Sequence, residues 1–191
     1  MLDHYAVDGV MLDWMRFDNY AMDLGEATRA RYRAATGTDP LTIDFTTDNA
    51  ARRQWNAFRT DGIAEYVRAV RGDLPAGMTL GIYLLPPEFT EVGQDAAKFN
   101  VATDVLSPMC YFRDWGYALD WVWSSCLATT RAKAGAARIV PAMDSSLTDA
   151  QYAELLGRIR RDFPAIDTLA WFHHDRWDAE RLRHIARISA P

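Results

Sequence analysis

The sequence predicts an α/β fold on a parallel sheet, of the (β/α)8 TIM-barrel type, and three observations predict it. Five short apolar segments read as buried strands. Helical stretches alternate with them along the chain. Each strand runs out into carboxylates or aromatic rings, at the end where β/α barrels carry their chemistry.

The first strand covers Val7 to Trp14, an almost unbroken Val-Met-Leu run of the kind that is buried on both faces, and it delivers Asp13, Trp14 and Arg16 at its tip. A helix over Glu26 to Ala35 stops at Thr36-Gly37, with Pro40 beyond. A longer helix over Asn49 to Val70 sets Trp55, Phe58, Ile63, Tyr66, Val67 and Val70 on one stripe, with Gly62 as a weak point inside it. The second strand, Met78 to Leu85, ends at Pro86-Pro87-Glu88. The third, Asp104 to Tyr111, ends at Phe112-Arg113-Asp114.

Trp115 to Ala134 reads as a helix interrupted near Ser124-Ser125. The fourth strand, Arg138 to Met143, ends in Asp144. Thr148 to Arg161 is helical, with Asp149 complementing the helix dipole near its start. The fifth strand, Thr168 to Phe172, leads into His173-His174-Asp175, and a helix over Asp178 to Ile188 closes the chain.

Five βα units are too few for an eight-stranded barrel. Met1-Leu2-Asp3-His4-Tyr5 reads like the end of a helix that precedes a strand. The expectation is therefore one partial domain over residues 1–191, the C-terminal portion of a barrel holding strands four to eight. An open α/β sheet is the alternative.

At 191 residues the chain can bury a core, and 49% hydrophobic with 25% charged residues is ordinary for a globular protein. A net charge of -5 without a basic run argues against nucleic acid as a partner. No apolar run approaches the roughly 18 residues of a membrane span. No signal peptide is visible, which weighs little if an N-terminal portion precedes, so extracellular and cytoplasmic locations both stay open. Oligomeric state is not legible. Seven Trp and eight Tyr are many for this length, and rings near strand ends suit stacking on sugar faces, with a core role as the ordinary alternative. Cys110 and Cys126 match no zinc or redox spacing and are expected as two separate thiols.

The strand tips supply Asp13, Glu88, Asp114 and Asp144, with Glu91 as a lesser substitute for Glu88. Paired carboxylates on one rim suit glycosidic-bond cleavage, in which one acid protonates the leaving oxygen while the other attacks the sugar or activates water. Each also has a structural reading. Asp13 in an apolar run could pair with Arg16. Asp114 could cap a helix beginning at Trp115, and Glu88 could be a solvated loop residue. Adjacent His173 and His174 point to opposite faces of an extended strand, so a hydrogen bond from His173 to substrate or to Asp144 is preferred over a metal site. Ser107 lacks the nucleophile-elbow pattern.

Tyr5-Ala6-Val7-Asp8-Gly9-Val10-Met11-Leu12-Asp13-Trp14-Met15-Arg16-Phe17 resembles the Y-x-V-D-G-I-H-x-D-Y-x-R-F strand of glycosyl-hydrolase-like barrel proteins of the family-10-like group. Trp55-Asn56-Ala57-Phe58-Arg59 is similar to their W-x-x-W/F-R helix, and Leu80-Gly81-Ile82-Tyr83 to their F-G-I-S strand. Asp104-Val105-Leu106-Ser107-Pro108-Met109-Cys110-Tyr111 resembles their D-x-L-x-P-M-x-Y strand, and Val140-Pro141-Ala142 the strand after it. The resemblance implies a barrel, a carbohydrate substrate and no cofactor. It departs where Met11 replaces a His or Gln, and where Leu84-Leu85-Pro86-Pro87-Glu88 matches no familiar catalytic signature.

The leading hypothesis is a glycoside hydrolase or hydrolase-like domain with Asp13 as nucleophile or stabiliser, Glu88 or Asp114 as general acid, and Asp144 as an orienting group. Trp14, Tyr111, Trp115 and Trp171 would stack on sugar, while Arg16 and His173 would bond to hydroxyls. A non-catalytic carbohydrate-binding barrel is the second reading. A metal-dependent hydrolase using His173 or His174 with Asp13 or Asp144 is the third.

Overall fold

Apolar strand segments buried on both faces pair side by side only if the connections between them cross over a face, and that is the arrangement found. The computed structural model describes residues 6–173 together with positions 179, 182, 183 and 186. Its strands are β1 (Gly9–Leu12), β2 (Thr79–Leu84), β3 (Val105–Cys110), β4 (Arg138–Ile139), β5 (Ala142–Asp144) and β6 (Ala170–Phe172). Its helices are α1 (Glu26–Thr36), α2 (Asn49–Asp73), α3 (Ala96–Phe99), α4 (Ala128–Lys133) and α5 (Asp149–Asp162). The sheet runs β1-β2-β3-β5-β6, with β4 beside the first half of β3, and every pairing is parallel. It curls into a half-barrel with helices on its outer face.

Side chains alternate across a strand, so the outer face fixes the inner one. Leu80, Ile82 and Leu84 of β2 and Leu106 of β3 pack against Ile63, Ala64 and Val67 of α2. Cys110 and Met143 join Tyr152, Leu155 and Ile159 of α5 in a second outer core. The complementary positions therefore share the concave face: Met11, Tyr83, Ser107, Tyr111, Asp144 and Phe172. There the Met11 thioether lies across Gly81, its register partner, where a Cβ would collide with the sulfur. The residue that departs from the family pattern thus fills space left by a glycine on the next strand.

Helix boundaries follow local chemistry. Gly37 closes α1 at φ 76° and donates its N–H to the Arg33 carbonyl. Asp48 caps α2 through the Ala51 N–H. Thr148 and Gln151 form a reciprocal capping box at the start of α5.

The structure corrects several expectations. The fourth strand is two pieces, β4 against Val105 and Leu106 and β5 against Met109 and Cys110. Pro141 lies at the break and has no N–H for the ladder. The helix expected from Trp115 begins some six residues later, because Gly116 at φ 74° turns the chain, and Val122–Leu127 is a π-helical stretch leading into α4. The first strand stops at Leu12, ahead of Asp13 and Trp14. Cys110 and Cys126 are joined in a disulfide rather than separate, their Cα atoms 6.2 Å apart, which is a span a disulfide bridges. Residues 1–5, His174 and Asp175, and most of the expected last helix lie outside the described residues. Among the described residues, no helix is long and apolar enough to cross a membrane.

Candidate active site

All strand tips of a parallel sheet emerge at one edge, so Asp13 after β1, Glu88 after β2, Asp114 after β3 and Asp144 ending β5 share one rim. Strands lie about 4.8 Å apart, so β1 and β3 tips are about 10 Å apart along the sheet, and β1 and β5 tips about 14 Å.

Tyr111 is the centre of the arrangement. It is buried where β3 ends, on the concave side. Its hydroxyl is held well above the usual tyrosine range, first by burial and then by the neighbouring Tyr83 hydroxyl and the Asp13 and Asp114 carboxylates. It remains a hydrogen-bond donor at any physiological pH. The Tyr111 ring stacks on Phe172 at 4.7 Å and on Trp115 at 6.3 Å, and Phe89 meets Trp115 edge-on at 5.2 Å. Phe172 is 43% exposed, leaving an open aromatic surface on the concave face.

At the β1 tip, Asp13 is exposed and its Oδ1 accepts the Trp14 N–H at 2.8 Å. Trp14 has φ 57°, an unusual backbone for a bulky residue, and the residue is 68% exposed. The Arg16 guanidinium lies 4.2 Å from that ring, and its Nε is buried without a hydrogen-bond partner among the described residues. Strain and exposure together are features of ligand-contacting positions. Asp114 is exposed, in a turn closed by the Trp115 N–H on the Tyr111 carbonyl, so it is free of the helix-capping role.

Glu88 behaves differently. Its Oε1 accepts from Trp121 Nε1 at 2.9 Å and Ser125 Oγ at 2.5 Å. Trp121 belongs to the outer core, so these bonds draw the carboxylate toward the helix layer. Asp144 is 2% exposed and accepts the Ser146 N–H at 2.7 Å. Trp171 is placed away from the concave face: it packs on the outer core and meets Tyr152 edge-on at 5.2 Å. Strand alternation hands the stacking position expected of Trp171 to Phe172, which the sequence reading passed over. His173 meets the Phe172 ring at 4.8 Å, and its carbonyl accepts from Ser145 Oγ at 3.5 Å. Among the described residues, no three His, Cys, Asp or Glu groups are placed to hold a metal ion.

The loops carrying these groups are pinned from behind by α2. Arg59 is 2% exposed and lies against the rings of Phe17, Tyr20 and Trp55. It donates to the carbonyls of Asn19, Met22 and Glu91, and to Asn56 Oδ1. Burial lowers its pKa to about 10, which leaves it cationic at neutral pH. Trp55, one turn earlier, donates to the Tyr20 carbonyl at 2.7 Å. Gln94 Nε2 reaches the Met15 carbonyl at 3.0 Å and the Tyr83 carbonyl at 3.1 Å. The loops after β1 and β2 are thus held together as one unit, and the Trp55/Arg59 spacing that marked a family helix is the clamp.

The fold is a parallel α/β half-barrel with helices on its outer face. The structure is similar to the PgaB (BpsB) glycoside hydrolase domain from Bordetella bronchiseptica, with a TM-score of 0.75 at 14% identity, over 96% of this chain and 57% of that one. The chain therefore spans little more than half of that domain, and at this identity the likeness concerns the fold. It does not single out the family-10-like group. Neither a protein-family model nor a curated protein sequence matches the chain.

Proposed function

We propose that the concave rim hydrolyses glycosidic bonds in an oligo- or polysaccharide, with Asp13 and Asp114 as the carboxylate pair. The observation that carries this reading is the shared rim, where Asp13 and Asp114 follow two parallel strands on either side of β2 and the Tyr111 ring stacks on Phe172 and on Trp115. A sugar lying on the aromatic surface would put its glycosidic oxygen beside two acids and one permanent donor. Asp13 acts as nucleophile or charge stabiliser and Asp114 as general acid, their separation setting retention or inversion. Trp14 offers a second platform, Arg16 and His173 bind hydroxyls, and Asp144, on the strand next to β3, is the orienting group. Glu88 braces its loop.

The bonds that hold Glu88 in the outer layer favour a second reading, a carbohydrate-binding rim with too few working acids. Reducing-end release from a panel of glycans separates the two. Turnover that falls at least a hundredfold in Asp13→Asn with the fold intact supports hydrolysis. Binding to the same glycans with no turnover at any pH supports the second reading.

A further inference from the structure

A cavity of 520 Å³ lies outside the barrel rim, on the helix side of the sheet. It exists because the crossover from β2 to β3 contains only the four-residue α3 and one 3-10 turn, Thr90–Val92. A full crossover helix would have filled the space between α2 and α4. The volume falls in the range of small-molecule and saccharide sites.

Its floor is apolar, with Leu84 and Val92 buried, but its walls are cationic. Arg52 and Arg53 come from α2, Lys98 from α3 and Lys133 from α4, while Asp95 is the one carboxylate in the lining. This charge stands out on a chain whose net charge is -5. Two of the four cations are neutralised, Lys133 by Asp95 at 3.2 Å and Lys98 by Asp61. The two guanidiniums have no carboxylate partner among the described residues. Arg52 bonds to the Phe45 carbonyl and Asn49 Oδ1 and lies 5.4 Å from the Tyr20 ring. Arg53 is exposed. Guanidinium groups match carboxylate, sulfate and phosphate oxygens through paired N–H donors.

A chain of ring contacts links the groove to the rim. Phe89 lines it and also meets Trp115, which stacks on Tyr111, which stacks on Phe172. One row of rings thus runs from the concave face to the cationic pocket. We propose that this groove is an anion-selective saccharide subsite, taking negatively charged sugar units of a glycan whose other units lie on the concave face. The identity of the polymer rests on the carbohydrate reading above, whereas the charge selectivity rests on the groove alone.

Isothermal titration at low ionic strength tests it, using hexagalacturonate, a sulfated oligosaccharide of similar length and a neutral galacto-oligosaccharide. At least one charged probe is expected to bind ten times more tightly than the neutral one, and which one binds distinguishes carboxylate from sulfate. Arg53→Glu is expected to abolish that preference, as is 0.3 M salt, in keeping with the exposure of the group. Arg53→Gln, which keeps the groove's shape, should give a smaller loss in the same direction. Equal affinity for charged and neutral probes, or affinity for the charged probe unchanged in Arg53→Glu, overturns the proposal. Charged binding without hydrolysis of any glycan would remove the enzymatic reading and leave the groove standing. Hydrolysis with no charge preference would do the reverse.

Discussion

The Trp121 indole donates to the Glu88 carboxylate at 2.9 Å, across the boundary between rim loop and helix layer. With Ser125 on the same oxygen, this bond makes Glu88 part of the scaffold. Glu88→Gln is accordingly expected to lower stability by about 1 kcal/mol. Urea unfolding reads the change.

Arg59 is a larger test of the scaffold. Replacing it by Met leaves three loop carbonyls without their donor, and a loss of about 3–5 kcal/mol is expected. Arg59→Lys keeps the charge but loses the fork, so about 2 kcal/mol is expected. Hydrogen exchange should show residues 15–22 and 85–94 loosening together in both variants. Loosening of one loop alone would show that the clamp is not shared.

Trp14 sets backbone strain against function. Trp14→Asn relieves a left-handed backbone worth about 1 kcal/mol and loses an exposed cation–π contact of about 0.5–1 kcal/mol. Thermal stability should stay within about 0.5 kcal/mol, while affinity for a responsive saccharide drops at least tenfold. Unchanged affinity would remove Trp14 from the site.

Asp39 gives a pH dependence. Its carboxyl is held far below the usual range, first by the side-chain bond from Arg29, then by the Leu41 N–H. A folded pKa below the unfolded one adds stability that is complete at neutral pH and fades as pH falls below about 4, the unfolded value. Asp39→Asn should therefore be less stable than the native chain at pH 7, and the gap should close in acid.

Gly62 and Gly157 lie inside α2 and α5, and a Cβ at either would meet nothing within 4 Å. Gly62→Ala and Gly157→Ala should each add about 0.5–1 kcal/mol, read from the denaturant midpoint.

Much of this architecture could be read from the residues, for reasons that differ by element. Buried parallel strands announce themselves as apolar runs, so β1, β2 and β3 fall inside the expected segments. Gly37 and Thr148 mark helix ends through local backbone chemistry that is also written in sequence. Trp115 to Leu119 falls at the start of an expected helix, yet the positive φ of Gly116 makes it a turn, a choice that composition does not encode. Trp171 and Phe172 are adjacent aromatics, and only strand register decides which of them faces the concave side. The partners of Arg59 are backbone carbonyls, which leave no mark on residue identity. The Cys110–Cys126 bond depends on a contact between β3 and the π-helical stretch that spacing alone does not reveal.

The role division between the two candidate acids is the centre of the account, and one kinetic comparison addresses it directly. On any glycan the protein cleaves, the rates of Asp114→Asn and Glu88→Gln are measured against the native chain, with folding checked by circular dichroism. Asp114→Asn should lose about 10²–10⁴ in kcat, as removal of a general acid does, while Glu88→Gln stays within tenfold. A large loss in Glu88→Gln with Asp114→Asn near native activity would contradict the pairing of Asp13 with Asp114.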